Sequence, residues 1–519
     1  MIVQSSSTCR AAETHAMETF GLEEDVLMER ASLGAWKIFR HLFPESRRFA
    51  VVCGKGSNGG DGLALARHAA NDGICPVVVL VDPQIDPSSA CGRQLDLLRK
   101  LGIEPVTWQV FRQSEDVSGS GLMPGVDALF GTGLRRALEG EALEAACWLS
   151  HRPTLALDLP SGLDGSTGRP LGACVKAVAT ATFGRAKPGL FLHPGRDFAG
   201  EVQVVDLGIP EESWGLAGEP IQLLDQDWAT GRVAPRSRGA HKGDAGRGFL
   251  LCGSDDYFGA AVLASSAALR SGIGLIHVGS TPFVATRLAQ IVPEVMGMVA
   301  VGGEASRSIV SKQIEAADAL LAGPGLGQSP QALDALKGLF KHLNSPLVLD
   351  ADGLNLCATH PDLQYELVRV SKSHGAVLTP HPKEAARLME STVEALLADP
   401  LQAAKSIAAR FGAVVVFKLA TPVIASPQGQ VAIGIAGHWG MAVGGCGDAL
   451  AGAVVARLAE GVSPFEAACQ AVRAHARAGD LAGRRGRRGM SVTDLIASLP
   501  EAWEEMEQDS LRSGAELTL

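Results

Sequence analysis

"FAVVCGKGSNGGDGLALARHAAN", residues 49 to 71, passes from a short apolar run through a loop with five glycines between 54 and 62 into an alanine- and leucine-rich stretch. Continuous apolar runs of this length mark parallel strands buried on both faces, and crossover helices join such strands. The same alternation recurs at "PVVVLVD" (76–82), "VDALFGTG" (126–133), "TLALDLP" (154–160) and "VQVVDLGI" (202–209). The pattern predicts a doubly wound α/β sheet. It breaks over about 210–245, where Pro, Gly and charged residues accumulate. It then restarts with "GFLLCGS" (248–254), "ADALLAGPGLG" (317–327), "PLVLDADG" (346–353), "GAVLTPHP" (375–382) and "AVVVFK" (413–418). The glycine motifs of the two halves differ, so two unlike doubly wound domains are expected: residues 1–212 and 240–505, joined by a linker over 213–239.

Composition narrows the function classes. A chain of 519 residues is long for one domain, and its 46% hydrophobic and 20% charged content is ordinary for a globular protein. The net charge of −10 gives no general attraction for nucleic acid or an anionic membrane surface. The one basic run, "GRRGRR" at 483–488, reads as a solvated loop, with phosphate binding as the minority alternative. The ten cysteines show no CxxC pair and no metal-ligand spacing, which suits reduced thiols in the cytoplasm. No 18-residue apolar stretch and no apolar leader are present, so neither a membrane span nor a signal peptide is expected. A homo-oligomer acting on small molecules is the expected assembly.

Ligands of doubly wound sheets bind at the carboxyl ends of the strands. In the first half three glycine-bearing loops stand there: "GKGSNGGDG" (54–62), "DALFGTGLRR" (127–136) and "DLPSGLDG" (158–165). A single loop of this kind needs no more than glycine backbone freedom. Three on one edge, carrying Asn58, Asp61, Asp127, Asp158 and Ser161, gather hard oxygen ligands beside a phosphate cradle at a helix start. Those residues alone indicate a nucleotide-like ligand, with room for a cation.

In the second half "GHWGMAVGGCGDALAGAVVARLAEG" (437–461) places a glycine turn before a helix. The amides around Gly445 to Asp448 are then free to hold a transferring phosphoryl group, while Asp448 takes a hydroxyl proton. An N-cap aspartate after a flexible loop is the plainer alternative. Position in the first helical turn is expected to favour the ionised form of Asp448.

Further motifs add a family resemblance. "LMERAS" (27–32), "GKGSNGGDGLALAR", "DALFGTGL", "DLPSGLDGSTG" and "TATFGRAKPGL" with "VQVVDLGIP" resemble the NAD(P)H-hydrate epimerase domain, over about residues 10–210. The resemblance implies a Rossmann-like fold in which Ser57, Asn58, Gly59, Gly60 and Asp61, and Gly131, Thr132, Gly133, Leu134, Arg135, Arg136 and Ala137, line the hydrate site. It also implies that Asn58, Asp127 and Ser161 hold potassium, with Asp158 beside the substrate; Asp158 is read here as the proton handler. Ser57 stands where the family usually has asparagine.

Over about 240–500, "HKGDAGRGFLLCGSDDYFGAAVLASSAALRSGIGL", "AGPGLG", "LDADGLN", "LTPHPKEAARL" and "GGCGDALAG" resemble the ADP-dependent NAD(P)H-hydrate dehydratases, which are ribokinase-like. By position Ala260, Gly325 or Gly327, His381 and Asp448 match the hydrate-binding residues. Lys418, Leu419, Ala420, Thr421 and Pro422, with Gly447, match the nucleotide-binding ones, and magnesium accompanies ADP. Leu419 replaces an expected glycine, and Cys446 an expected Thr or Ser. The function implied is repair: epimerising the R and S hydrates of NADH and NADPH, then dehydrating the S form at the expense of ADP. The alternative is a vitamin-precursor kinase with a non-catalytic N-terminal nucleotide-binding module.

Overall fold

The structure is a computed structural model that describes residues 1–114, 123–215, 220–302 and 307–515. It divides into two compact units, one spanning Ile2–Ile221 and one running from Gln222 onward.

The first unit is built on a seven-stranded sheet. Its order in space is Val106–Thr107, Cys75–Leu80, Arg48–Cys53, Gly125–Ala128, Thr154–Leu157, Ala179–Phe183 and Glu201–Val205. Every neighbouring pair is parallel. Strand order reverses between Arg48–Cys53 and Gly125–Ala128, and a crevice opens at such a switch point. Alternate residues of the central strand serve two cores: Phe49, Val51 and Cys53 join one hydrophobic cluster, and Ala50 and Val52 join the other. That split explains why the strand reads as unbroken apolar sequence.

The glycines of the opening motif also find their reason. None between 54 and 62 has a positive φ. A Cβ on Gly59 would instead meet the Gly54 carbonyl oxygen at 1.9 Å, and one on Gly62 the Ala128 Cβ at 2.4 Å. At Gly54, Gly59 and Gly62 close approach of neighbouring chain, not turn geometry, leaves no room for a Cβ.

The second unit's sheet runs from Ile221–Leu224 through Val431–Gly434, Val423–Ala425, Val414–Phe417, Ala376–Leu378, Leu347–Leu349, Ala319–Ala322, Arg247–Leu251 and Leu275–Ser280 to Met296–Val299. The hairpin around Val423–Ala425 supplies its two antiparallel pairings; the other pairings between these strands are parallel. The stretch expected as linker is partly structural. Gln222 pairs with Ala432 in a parallel ladder, and Gln226–Ala229 is a short helix. Its apolar run "IQLL" was hidden among Pro, Gly and charged neighbours, and residues 216–219 lie outside the described residues. Helices Phe258–Arg270, Cys446–Ala459, Pro464–Gly483 and Val492–Ala515 contribute to one apolar core.

All ten cysteines are free, and Cys9, Cys53, Cys91, Cys252, Cys357 and Cys469 are buried. Among the described residues no helix is long and apolar enough to cross a membrane.

A tight crossing governs the second core. A Cβ on Gly452 would meet the Ala264 carbonyl oxygen at 2.2 Å. Gly452→Val is expected to destabilise this unit by about 1–3 kcal/mol through overpacking. Denaturant unfolding followed by circular dichroism measures it; an unchanged midpoint would show that the two helices can separate freely.

Candidate functional site

At the switch point of the first unit lies a cleft of about 520 Å³, lined among others by Glu13, Ser57, Asn58, Asp61, Gly131 and Asp158. Helix Ser57–Asn71 starts at Gly56 without a side-chain cap, so its first amides are available to an anion. Of the expected residues, Thr132, Gly133 and Leu134 also line the cleft. Gly59 and Gly60 are buried beneath it, while Arg135, Arg136 and Ala137 are exposed and do not line it.

Asp158 ends the strand Thr154–Leu157 with a φ of 61°, a left-handed conformation that few non-glycine residues adopt. Its backbone N–H donates to the Ala181 carbonyl at 2.8 Å, which helps hold that turn. The Thr132 N–H donates to Oδ2 at 3.3 Å, and the Lys187 Nζ donates to Oδ1 at 2.5 Å. Lys187 is only 2% exposed and also donates to the Phe183 carbonyl at 2.9 Å and to Thr182 Oγ1 at 3.3 Å. Burial pulls the Lys187 ammonium down, but Asp158, Cys9 and Glu13 outweigh it, so it sits above its ordinary value.

Carboxyl groups crowd this cleft. Burial raises Glu13 to about 7, with Lys187 opposing and Asp158 adding. Asp61 is pushed well above the usual range by burial first and by Asp158 second. An acidic wall of this kind suits a site that holds and moves protons near neutral pH.

Asp127 and Ser161 sit beneath the floor. The Ser161 N–H donates to Asp127 Oδ2 at 2.7 Å and its hydroxyl to Oδ1 at 2.7 Å; the Leu129 N–H adds a contact at 3.2 Å. Burial raises Asp127 to about 6 against those hydrogen bonds. Both polar atoms of the Asn58 amide are buried without a partner. A Cβ on Gly131 would meet Asp158 Oδ2 at 2.9 Å and Asn58 Oδ1 at 3.3 Å, so the orphaned amide oxygen and a carboxylate oxygen border one spot, a donor type that fits a hard cation.

In the second unit, helix Cys446–Ala459 is entered through Gly445, whose φ of 93° turns the chain so that no side chain caps the helix. A Cβ on Gly447 would meet Lys418 Nζ at 3.1 Å and Asp350 Oδ2 at 3.8 Å, which brings loop, lysine and carboxylate together. Lys418 donates to Asp350 Oδ1 at 2.6 Å, with Glu384 Oε2 at 4.0 Å. Asp350 is 1% exposed at the end of strand Leu347–Leu349. Asp448 corrects the sequence expectation of a favoured ionised form. Burial, reinforced by Asp350 and opposed by Lys418, raises it to about 7.

The remaining expected residues take clear places. Ala260 lies against Gly325, where a Cβ would approach its own at 2.7 Å. The Gly327 N–H donates to Asp352 Oδ2 at 2.9 Å. His381 is the N-cap of helix Pro382–Met389, its Nδ1 accepting from the Lys383 N–H at 3.1 Å while its own N–H donates to Glu384. Burial and Lys418 lower the His381 ring, which keeps Nδ1 an acceptor at neutral pH. Leu419, Ala420, Thr421 and Pro422 form the turn between antiparallel strands Val414–Phe417 and Val423–Ala425.

Sequence reasoning missed Glu13, Lys187, Asp350 and Glu384. Asp350 carried the signal that singled out Asp158, a carboxylate closing an apolar strand. Lys187 and Glu13 carried none, because each reaches its site from a distant segment.

Two largely parallel sheets, each with a glycine-rich helix start and a buried carboxylate–lysine pair at its carboxyl edge, define a two-site enzyme that handles phosphorylated ligands. Comparison with known proteins agrees on both halves. Residues 24–189 match the family model for the YjeF-related protein N-terminus, and 249–501 match the model for NAD(P)H-hydrate dehydratase. The bifunctional NAD(P)H-hydrate repair enzyme Nnr of Moorella thermoacetica is 36% identical, with 93% of each chain covered. That of Escherichia coli is also 36% identical, covering 97% of this chain and 95% of its own. A solved ADP/ATP-dependent NAD(P)H-hydrate dehydratase from Bacillus subtilis, co-crystallized with ATP/Mg2+, is 27% identical and covers 55% of this chain and 99% of its own, with a TM-score of 0.47. The chain belongs to the family of bifunctional NAD(P)H-hydrate repair enzymes.

The buried pair in the first unit can be tested apart from activity. Lys187→Met leaves the Asp158 carboxylate without its ammonium and is expected to cost about 3–5 kcal/mol. The double variant Lys187→Met/Asp158→Asn should recover most of that loss in denaturant unfolding. Additive losses would show that the two groups do not interact.

Proposed function

We propose that this chain repairs hydrated NADH and NADPH in two steps. The N-terminal unit interconverts the R and S hydrates, and the C-terminal unit dehydrates the S form with a phosphoryl group from ADP. The observation that carries the reading is the pairing of a buried ammonium with a carboxylate beside a glycine-rich helix start in both units: Asp158 with Lys187, and Asp350 with Lys418. Kinase action alone would leave the first of these pairs, and its cleft, without a role. The relatives, bifunctional by name, span both halves.

In the N-terminal unit the hydrate's C6 hydroxyl is adjacent to a ring nitrogen whose lone pair lets the C6–O bond open and re-form. Each event moves a proton, and Asp158 is assigned that role. Its carboxylate is held by the Thr132 amide and by Lys187, which fixes where the proton is exchanged. Ser57 to Asp61 and the 131–134 segment are assigned to the hydrated nucleotide. Asn58, Asp127 and Ser161 are assigned to a potassium ion, which supplies positive charge beside the ligand's phosphates.

In the C-terminal unit hydroxide is a poor leaving group, so the C6 oxygen is first phosphorylated. Asp448 takes the hydroxyl proton as that oxygen attacks the terminal phosphorus of ADP, and AMP departs. Amides at Gly445 to Asp448 hold the transferring group, with the Lys418 charge nearby. The ring nitrogen then expels phosphate, and loss of the C5 proton restores the dihydropyridine. Ala260, Gly325, Gly327 and His381 are assigned to the hydrate, and Leu419 to Pro422 with Gly447 to the nucleotide. Among the described residues no three His, Cys, Asp or Glu side chains converge as metal ligands. Magnesium accompanies the nucleotide in this reading, and its chemistry there would be neutralisation of phosphate charge. A cytoplasmic setting, supported by ten free thiols, belongs to the same reading.

Recovery of absorbance at 340 nm from a mixture of both NADH-hydrate epimers, with ADP, magnesium and potassium, tests the whole scheme. Asp158→Asn should limit recovery to the S epimer plus spontaneous epimerisation, with dehydration intact. Recovery of both epimers at the parent rate would remove Asp158 from the chemistry.

Asp448 acts in its ionised form, and its carboxyl sits at about 7. The dehydration rate should therefore rise with pH through that value in the free enzyme. Asp448→Asn is expected to lower it by about 10²–10⁴-fold. A flat profile between pH 6 and 8, with an active Asn variant, would exclude Asp448 as the base.

A further inference from the structure

Arg484, Arg485, Arg487 and Arg488 all lie in the exposed turn that follows helix Pro464–Gly483. Among the described residues Arg484 has a loose partner, Glu501 at 4.0 Å, and no carboxylate lies within ion-pair distance of the other three. In a chain of net charge −10 this is a local concentration of repelling positive charge. A polyanion relieves that repulsion, and guanidinium groups match phosphate oxygens bidentately.

The fold sets this turn beside the Asp448 helix. A Cβ on Gly440 would meet the Arg487 carbonyl oxygen at 2.4 Å, and one on Gly445 would meet Val492 Cγ2 at 3.5 Å. The turn itself, at Arg487, and Val492 just after it therefore approach the segment that leads into the anion hole. That segment is tied to the preceding helix as well: the Gly437 N–H donates to Asp480 Oδ2 at 3.2 Å, and His438 Nε2 lies 3.0 Å from the Gly479 carbonyl. Between these anchors Trp439 is 60% exposed, a large indole left uncovered one residue from the Gly440 contact.

We infer that the 484–488 turn and Trp439 form a collar at the mouth of the anion hole that binds an adenosine diphosphate group, the arginines taking the phosphates and the indole stacking on the base. The inference rests on the nucleotide-dependent dehydration proposed above. With ADP as occupant the collar takes the adenosine end in place of the 418–422 turn; with the dinucleotide as occupant both sites are filled together. Two ligands of that reaction carry this chemistry, the diphosphate of ADP and the pyrophosphate of the hydrated dinucleotide.

The test uses the full-length chain and the triple variant Arg485→Ser/Arg487→Ser/Arg488→Ser, with Trp439→Ala as a second variant. Titration calorimetry with ADP at low and high salt is read beside the KM of each substrate in dehydration. Three partly exposed charge pairs together should be worth about ten-fold in Kd or KM. That loss should shrink at high salt. Trp439→Ala should weaken the same ligand without changing the salt dependence. A rise in the Kd and KM of ADP assigns the collar to the nucleotide; a rise confined to the hydrate's KM assigns it to the dinucleotide. The triple Arg→Lys variant should recover part of the loss, and the denaturant midpoint of the C-terminal unit should match the parent's in every variant, which excludes misfolding. If the parent binds ADP and the triple variant matches it in Kd, both KM values and salt response, the collar is overturned. A parent that binds neither ADP nor ATP would sink the dehydratase reading itself, a separate result.

Discussion

A lysine ammonium buried against a carboxylate is the constraint on which both sites depend. Moving either ion out of water alone is costly, so each tolerates burial only because the other is there. Lys187 meets Asp158 and Lys418 meets Asp350, each carboxylate at the carboxyl end of a parallel strand. The consequences spread outward. The Asp158 turn is held in a left-handed conformation, and Lys418 is drawn from the hairpin towards the Asp448 helix. Burial, opposed by these same lysines, raises the neighbouring carboxyls Glu13, Glu384 and Asp448 to about 7. A set of acids poised near neutrality is thus a product of burial that the two lysines offset only in part.

Glycine does a second job that is easily mistaken for flexibility. In the 54–62 loop the glycines keep ordinary backbone angles and let a helix press onto its sheet. That contact leaves the first amides of the helix uncapped at the strand-order reversal. At Gly445 the reason is different, because a positive φ turns the chain into the helix and leaves its amides open. One residue type reaches one functional result, free amides at a sheet edge, by two physical routes.

Much of this architecture was legible along the chain. Strands such as Arg48–Cys53, Ala319–Ala322 and Val414–Phe417 are buried on both faces, so their sequences carry the unbroken apolar signal. A strand of two residues with a polar member gave a weaker one, as at Val106–Thr107. The Ile221–Leu224 strand was lost inside a stretch whose average composition resembled a linker. Averages over a window erase a four-residue element even when its pairing is regular.

The sequence by itself determined two unlike α/β units, the loops that close their strands, and the aspartates Asp158 and Asp448, because those signals are local in the chain. The tertiary structure alone decided which charges face one another. Lys187 reaches Asp158 across 29 residues, Lys418 reaches Asp350 across 68, and the arginine turn lies against Gly440. The protonation of Asp448 followed from that assembly, against what its place in a helix suggested. Burial and the sign of the nearest charge depend on distances through space, and no spacing along a sequence encodes them.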